Sequence, residues 1–400
     1  GHSAGAVVSA TIKAGANVPH GTLFHFLRND RLDANNFFSN AAARPKASFR
    51  QNQFGFALGG PVFLPRLYNG RDRTFFFIDY QGTRRRTAAS SSIYDLAPMA
   101  FRAGDFSTLS QRIYDPASRR LGPAGTVIAD PFPGNVIPQI RQNPTSLAIE
   151  TEIPVPNFGP PNSNGRNYFR QPPQRRNEDQ FDVRIDRRLS AGNTMFGRFS
   201  FGNMVQPNPG SFAGQLSTGN TQLQFSRHFV LNDVHVFSPN LINEFRFGFT
   251  RSNGSRIGQG QESAPFARLT GITMFPFPVQ SFPSMTFSRT GQISGQILYT
   301  GFGGGASNLN FENLFQWVDN LTLIRGNHAI RVGGDVRRHR LDQLSGGFGG
   351  YIFGSIFSSS SNDAASGDPW ADFLMGFPAL RNPGVRMLEW GRLRTIYAGG

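Results

Sequence analysis

The sequence predicts an all-β chain whose antiparallel strands form part of a transmembrane barrel. Three observations predict it: segments of strict period-two alternation, short turns that alternate with long connections, and a Phe- and Gly-rich composition. The 400 residues include 46 Gly, 27 Pro and 40 Phe, and only 16% are charged. A Phe-dominated aromatic share of 13% is high for a water-soluble domain, whose core draws mainly on Leu, Ile and Val. No apolar run reaches the ~18 residues of a membrane helix.

The strands follow in order. In TFFFIDYQGTRRR (74–86), Thr74, Phe76, Ile78, Tyr80 and Gly82 share one side, while the other turns polar through Asp79, Gln81, Thr83 and Arg85. In QFDVRIDRRLS, Phe181, Val183, Ile185 and Leu189 oppose Gln180, Asp182, Arg184, Asp186 and Arg188. TMFGRFSF sets Met195, Phe199 and Phe201 against Phe196, Arg198 and Ser200. NEFRFGFT sets Phe245, Phe247 and Phe249 against Glu244, Arg246, Gly248 and Thr250. AIRVGGDVRR sets Ile330, Val332 and Val336 against Arg331, Asp335 and Arg337. This is strand periodicity. A soluble sandwich alternates too, but here the polar faces mix Arg with Asp or Glu, as a wet lumen requires. The segments also run about ten residues, the length of a tilted bilayer-crossing strand. One segment breaks the rule: FENLFQWVDNLTLIRG puts Asp319 on the side of Phe315, Trp317 and Leu321.

The connections add a second argument. SAGN, SPN and RGN are tight links with Gly, Pro or Asn where a turn needs special backbone angles. The alternate links are long, near 29–51, 86–179, 205–220, 252–310 and 341–390. Outer-membrane barrels show this asymmetry, with brief periplasmic turns and extended external loops. About ten strands are visible and none closes the sheet, so the remainder of a full barrel is expected beyond Gly400. With no initiator methionine or signal peptide, the chain reads as an internal fragment of a longer protein.

An ordered series of stretches covers nearly the whole chain: GHSAGAVVSATIKAGANVPHGTLFHFLRNDRLDANNFF, NQFGFALGGPVF, DRTFFFIDYQGTRRR, RAGDFS, IYDPAS, PFPGNVIP, DQFDVRIDRRLS, FSPNLINEFRFGFTR and WADFLMGF. The series resembles TonB-dependent outer-membrane receptors, and more narrowly their Oar-like group, which often carries an N-terminal carboxypeptidase-regulatory-like domain. The resemblance implies a C-terminal end of a plug domain over 1–18 and the N-terminal part of the barrel over 19–400. It also implies ligand capture by the external loops and uptake energised through TonB, with a carbohydrate, peptide or siderophore-like ligand. The family's signal sequence, TonB box, most of its plug and its closing strands are not in this stretch. The implied location is the cell outer membrane. The implied partners are outer-membrane lipid and lipopolysaccharide, and the TonB complex through regions outside the chain.

Net charge is +15, nearly all arginine, with lysine only at Lys13 and Lys46. The arginines are dispersed and no recognised nucleic-acid motif accompanies them, so no nucleic-acid partner is expected. Zero cysteines exclude disulfides and thiolate metal sites. His20 and His25, His228 and His235, and His328 and His339 are each oddly spaced, which sends the two rings to opposite faces of a strand, so no metal site is expected. No phosphate loop, catalytic order or positioned carboxylate pair stands out; no enzyme and no cofactor are expected. Arg84, Arg85 and Arg86 read as a solvated strand end or as an anion contact, with lipopolysaccharide phosphate or a charged solute. Expected lumen-facing residues are Arg184, Asp186, Arg246, Arg331 and Asp335. Expected lipid-facing residues are Phe245, Phe247 and Phe249. The competing reading is a soluble or surface β-rich adhesin or carbohydrate-binding module.

Overall fold

Ten long strands, each hydrogen-bonded to its sequence neighbour, make one antiparallel sheet. The computed structural model describes residues 12–41, 46–88, 92–160, 165–259, 282–289, 296–304, 307–347, 350–361, 363, 365–382 and 386–399. The strands are β1 (His20–Asn29), β2 (Phe49–Pro61), β3 (Thr74–Ala88), β4 (Pro173–Ser190) and β5 (Asn193–Asn208). They continue as β6 (Asn220–Ser238), β7 (Leu241–Gly258), β8 (Ser307–Arg325), β9 (His328–Gly347) and β10 (Arg386–Gly399). Within this sheet β1 and β10 are the edges, so the barrel is not closed.

The turns follow the sequence signals. Two-residue links join β4 to β5, β6 to β7 and β8 to β9, the last through Gly326 at φ 61°. These three and the 62–73 link, which holds its own small ribbon of Phe63–Leu64 and Tyr68–Asn69, lie at one end of the sheet. Every long connection leaves from the other end. Strand length departs from the expected ten or so residues: apart from β1, the strands run from 13 to 20. At ~3.3 Å per residue, 18 residues span ~60 Å, well beyond a ~30 Å hydrocarbon layer even when tilted. The ladder continues past the apolar belt because the outer stretches carry Gln, Asn, Thr and Arg, which suit a wetted sheet.

The long connections are not open strings. Parts of those after β3, β5, β7 and β9 fold together around the most completely buried core among the described residues. Its framework is a four-stranded sheet in the order Ile297–Phe302, Ser284–Ser288, Gly350–Phe353, Leu380–Asn382, with one parallel pairing. Phe287 is fully buried at its centre, with ring centroids 5.2 Å from Trp370, 5.6 Å from Phe373 and 5.7 Å from Phe302. The helix Pro369–Met375 closes the core. Asp368 caps it by accepting from the Trp370 N–H at 2.8 Å, proline occupies its first turn, and Gly376 ends it at φ 79°.

The expected plug strand lies outside the described residues as far as residue 11; residues 12–19 form no strand. The stretches 260–281 and 290–295 of the expected 252–310 loop also lie outside them.

Candidate functional site

Directly opposed residues of an antiparallel pair project to the same face, so the register sorts every side chain of the sheet. One face carries the rung Ile78–Val183–Phe199–Phe229–Phe249–Phe315, read across six strands. Phe245, Phe247 and Phe249 all belong to this aromatic face. Phe247 lies 5.6 Å from Trp317 and 6.2 Å from Phe229, and Phe249 lies 4.8 Å from Phe315. Phe199 remains 42% exposed and Trp317 37%, because nothing of the described chain packs over them. Asp319 lies on this face too, and the structure supplies its partner: the Asn243 amide donates to its Oδ1 at 2.9 Å.

The opposite face is polar. The register puts Arg184, Asp186, Arg246, Arg331 and Asp335 all on it. Arg184 and Asp186 form an ion pair at 2.7 Å, and the guanidinium stacks 4.2 Å from the Phe196 ring centroid. Arg246 donates to Glu244 at 2.9 Å and to Asn232 at 3.0 Å. Asp335 pairs with Arg337 at 2.6 Å and accepts from the Gln316 amide, so its partner is Arg337 and not Arg331. The histidines split as their spacing requires, with His228 on the polar face beside Thr250 and His235 on the aromatic face beside Asn193.

An N-terminal strip crosses the polar face. Arg184 Nη1 donates to the Ile12 carbonyl at 2.9 Å. The Asn17 side chain donates to Asp72 Oδ1 at 2.5 Å, and its Oδ1 accepts from the Asp72 N–H at 2.8 Å. Gly15 is needed between them, since a Cβ there would sit 2.8 Å from the Gly60 carbonyl and collide with that of Phe76. Beside the strip, Ile12, Lys13, His20, Phe24, Phe77 and Asp79 line part of a cavity of about 380 Å³.

Sequence reading missed a second feature of this face. Near the long-connection end the register aligns Arg28, Gln51, Arg85 and Arg176 on β1–β4, and Gln206, Gln222, Arg256 and Asn308 on β5–β8. Arg176 and Gln206 join these halves by lining one cavity of about 100 Å³ together with Arg85, Thr87 and Gln174. Arg176 is held by Glu178, and Arg85 stacks 5.4 Å from the Phe49 ring. Such a row of amides and guanidiniums offers many donors to an oxygen-rich solute. The signal was in the sequence but divided among eight strands, so only the register assembles it.

Above the sheet, the folded connections hold two buried carboxylates. Asp368 accepts from Tyr299 Oη at 3.0 Å, and burial pushes its pKa up to about 6. Asp372 accepts from the backbone N–H groups of Phe357 at 3.0 Å and Ser358 at 2.7 Å; burial pushes it up to about 7. Both brace the Pro369–Met375 helix against the 355–360 segment.

An open antiparallel sheet of this length, aromatic on one face and charged on the other, with all long connections at one end, is the architecture of an outer-membrane barrel. The family described as outer membrane beta barrel domain matches residues 11–398, and the chain belongs to it. The protein is accordingly located in the cell outer membrane. Among solved structures, the outer membrane transporter YddB from Escherichia coli aligns over 97% of this chain and 37% of its own, at 8% identity and a TM-score of 0.43. The ferric enterobactin receptor PfeA from Pseudomonas aeruginosa, solved with enterobactin, aligns over 84% of this chain and 38% of its own, at 9% identity and a TM-score of 0.29. The chain thus spans under two fifths of either structure's length. A search of curated proteins gave no match.

Proposed function

We propose that the chain is part of a TonB-dependent outer-membrane receptor of the Oar-like type. In this reading the aromatic face meets lipid and the polar face lines the lumen. The observation that carries the reading is the 12–19 strip laid on the charged face and held there by Arg184 and Asp72. A plug must leave its last residues inside the barrel it fills, and a lumen-lining arginine on that backbone supports such an arrangement. Arg184, Asp186, Arg246, Arg331 and Asp335 then solvate the lumen and contact the plug. The row running through Arg85, Arg176 and Gln206 lines the outer mouth beneath the folded connections. Its donors suit a hydroxyl- or carboxylate-bearing ligand, which fits carbohydrate, peptide or siderophore-like uptake. Outer-membrane location favours this reading over a soluble binding module.

The test is uptake by cells producing the intact protein, offered an oligosaccharide, an oligopeptide and a ferric catecholate in turn, with and without a protonophore. Accumulation of one solute that the protonophore abolishes is the expected result. Accumulation indifferent to the protonophore would assign a passive pore instead.

A further inference from the structure

The aromatic face ends, toward the long connections, in a row of arginines that the proposed uptake leaves unused. Arg227 on β6 opposes Arg251 on β7; Arg251 opposes Asn313 on β8; Asn313 opposes Arg340 on β9; and Arg340 opposes Arg394 on β10. One rung nearer the short turns runs Phe229–Phe249–Phe315, with Arg338 opposite Phe315. The arginines therefore border the apolar belt directly, on its long-connection side.

Like charges placed directly opposite in a sheet destabilise it unless something neutralises them. The one carboxylate of this cluster, Asp342, is drawn to Arg394 at 2.7 Å and Arg392 at 3.5 Å. Among the described residues no acid lies within ion-pair distance of Arg227, Arg251, Arg338 or Arg340. Arg227 is fixed in place: its guanidinium lies 3.8 Å from the Phe201 ring centroid and donates to the Ser226 carbonyl at 2.8 Å. Arg340 keeps its Nε buried without a hydrogen-bond partner. Strands ~4.8 Å apart spread the row from β6 to β9 over ~14 Å, enough for more than one anionic group.

We propose that this row is a binding site for the phosphates of an outer-leaflet glycolipid, whose acyl chains lie along Phe229, Phe249 and Phe315. Guanidinium forks match phosphate oxygens two at a time, and they hold the charge at the headgroup level while the rings below meet hydrocarbon. The ligand is an amphiphile because cationic and apolar contacts adjoin on one outward surface. This inference rests on the aromatic face being the lipid face.

The experiment uses the full-length protein in lipid nanodiscs, titrated with bisphosphorylated lipid A and with the same lipid after its phosphates are removed. The phosphorylated lipid is expected to bind at least about tenfold more tightly. Replacing Arg227, Arg251 and Arg340 together by Gln is expected to erase that preference, whereas Lys replacements keep part of it. If the triple variant does not fold, Arg251→Gln alone reads a smaller loss. Equal affinity for the two lipids, or an unchanged glutamine variant, would overturn the proposal. So would displacement of the lipid by millimolar inorganic phosphate, which would make the row a soluble-anion site. Brominated acyl chains in the same nanodiscs separate the two failures. Trp317 unquenched overturns the lipid-face reading and this inference with it; Trp317 quenched without phosphate preference overturns the inference alone.

Discussion

Arg184 and Ile12 meet across the polar face: the guanidinium of one donates to the backbone carbonyl of the other at 2.9 Å, while Asp186 holds the same guanidinium at 2.7 Å. A charged side chain thus grips main chain, which makes the contact independent of what side chain residue 12 carries.

Gly15→Val is expected to expel the strip. Its Cβ has no space beneath the Phe76 and Gly60 carbonyls, and Arg184 would lose its Ile12 acceptor. Arg184→Ala is expected to loosen the strip more gently, by about 1.5–3 kcal/mol, the range for hydrogen bonds to charged groups. Limited proteolysis over 12–19 in the intact protein reads both; unchanged protection in the valine variant would contradict the packing.

Phe287→Ala is expected to cost the folded connections about 3–5 kcal/mol, since it empties the centre of their aromatic core. The damage should stay local. Cleavage within 92–160 and 350–382 should rise, while the sheet keeps its resistance to unfolding in unheated detergent. Concerted loss of both would mean that sheet and connections fold as one unit.

The buried acids give the folded connections a pH dependence of definite sign. Asp368 and Asp372 have folded pKa values of about 6 and about 7, above the ordinary 3.8. Between those limits the folded state holds protons that the unfolded state has released, so stability is full below pH ~4 and is lost as pH rises to ~7. The loss is at most on the order of 3 kcal/mol for Asp368 and about 4 kcal/mol for Asp372. Thermal unfolding followed by near-ultraviolet circular dichroism checks it, and Asp372→Asn should flatten the upper part of the curve. Stability that rises from pH 4 to 7 in that signal would contradict the burial.

Asp319 exposes its carboxylate on the aromatic face, the side proposed to meet lipid, so Asp319→Val is expected to stabilise the protein in bilayers by about 1–2 kcal/mol. Reversible unfolding in lipid vesicles measures it. A destabilised variant would mean that the Asn243 contact outweighs the exposure.

Much of the sheet was legible because period-two alternation is a local signal. Phe245, Phe247 and Phe249 fix a face within five residues, and Ser190–Asn193 or Arg325–His328 fix a turn within four. The folded connections were not legible, because their core unites Phe106, Phe212, Phe287 and Phe373 from four separate links with no shared period. One piece could have been read: DPWADFLMG carries a capping Asp, a first-turn Pro and a terminal Gly around the observed helix. The Arg–Gln row escaped for a different reason. Alternation alone sends Arg85 to the face opposite Arg84 and Arg86, but only cross-strand register aligns it with Gln51 and Arg176.

The face assignment itself is tested most directly by two adjacent residues in a chain that has no native cysteine. Arg246→Cys and Phe247→Cys, each made in the full-length protein in intact outer membranes, would be exposed to a small water-soluble maleimide. Rapid labelling at 246 with none at 247 is the predicted result. Equal labelling at both positions, or labelling at 247 alone, would contradict it.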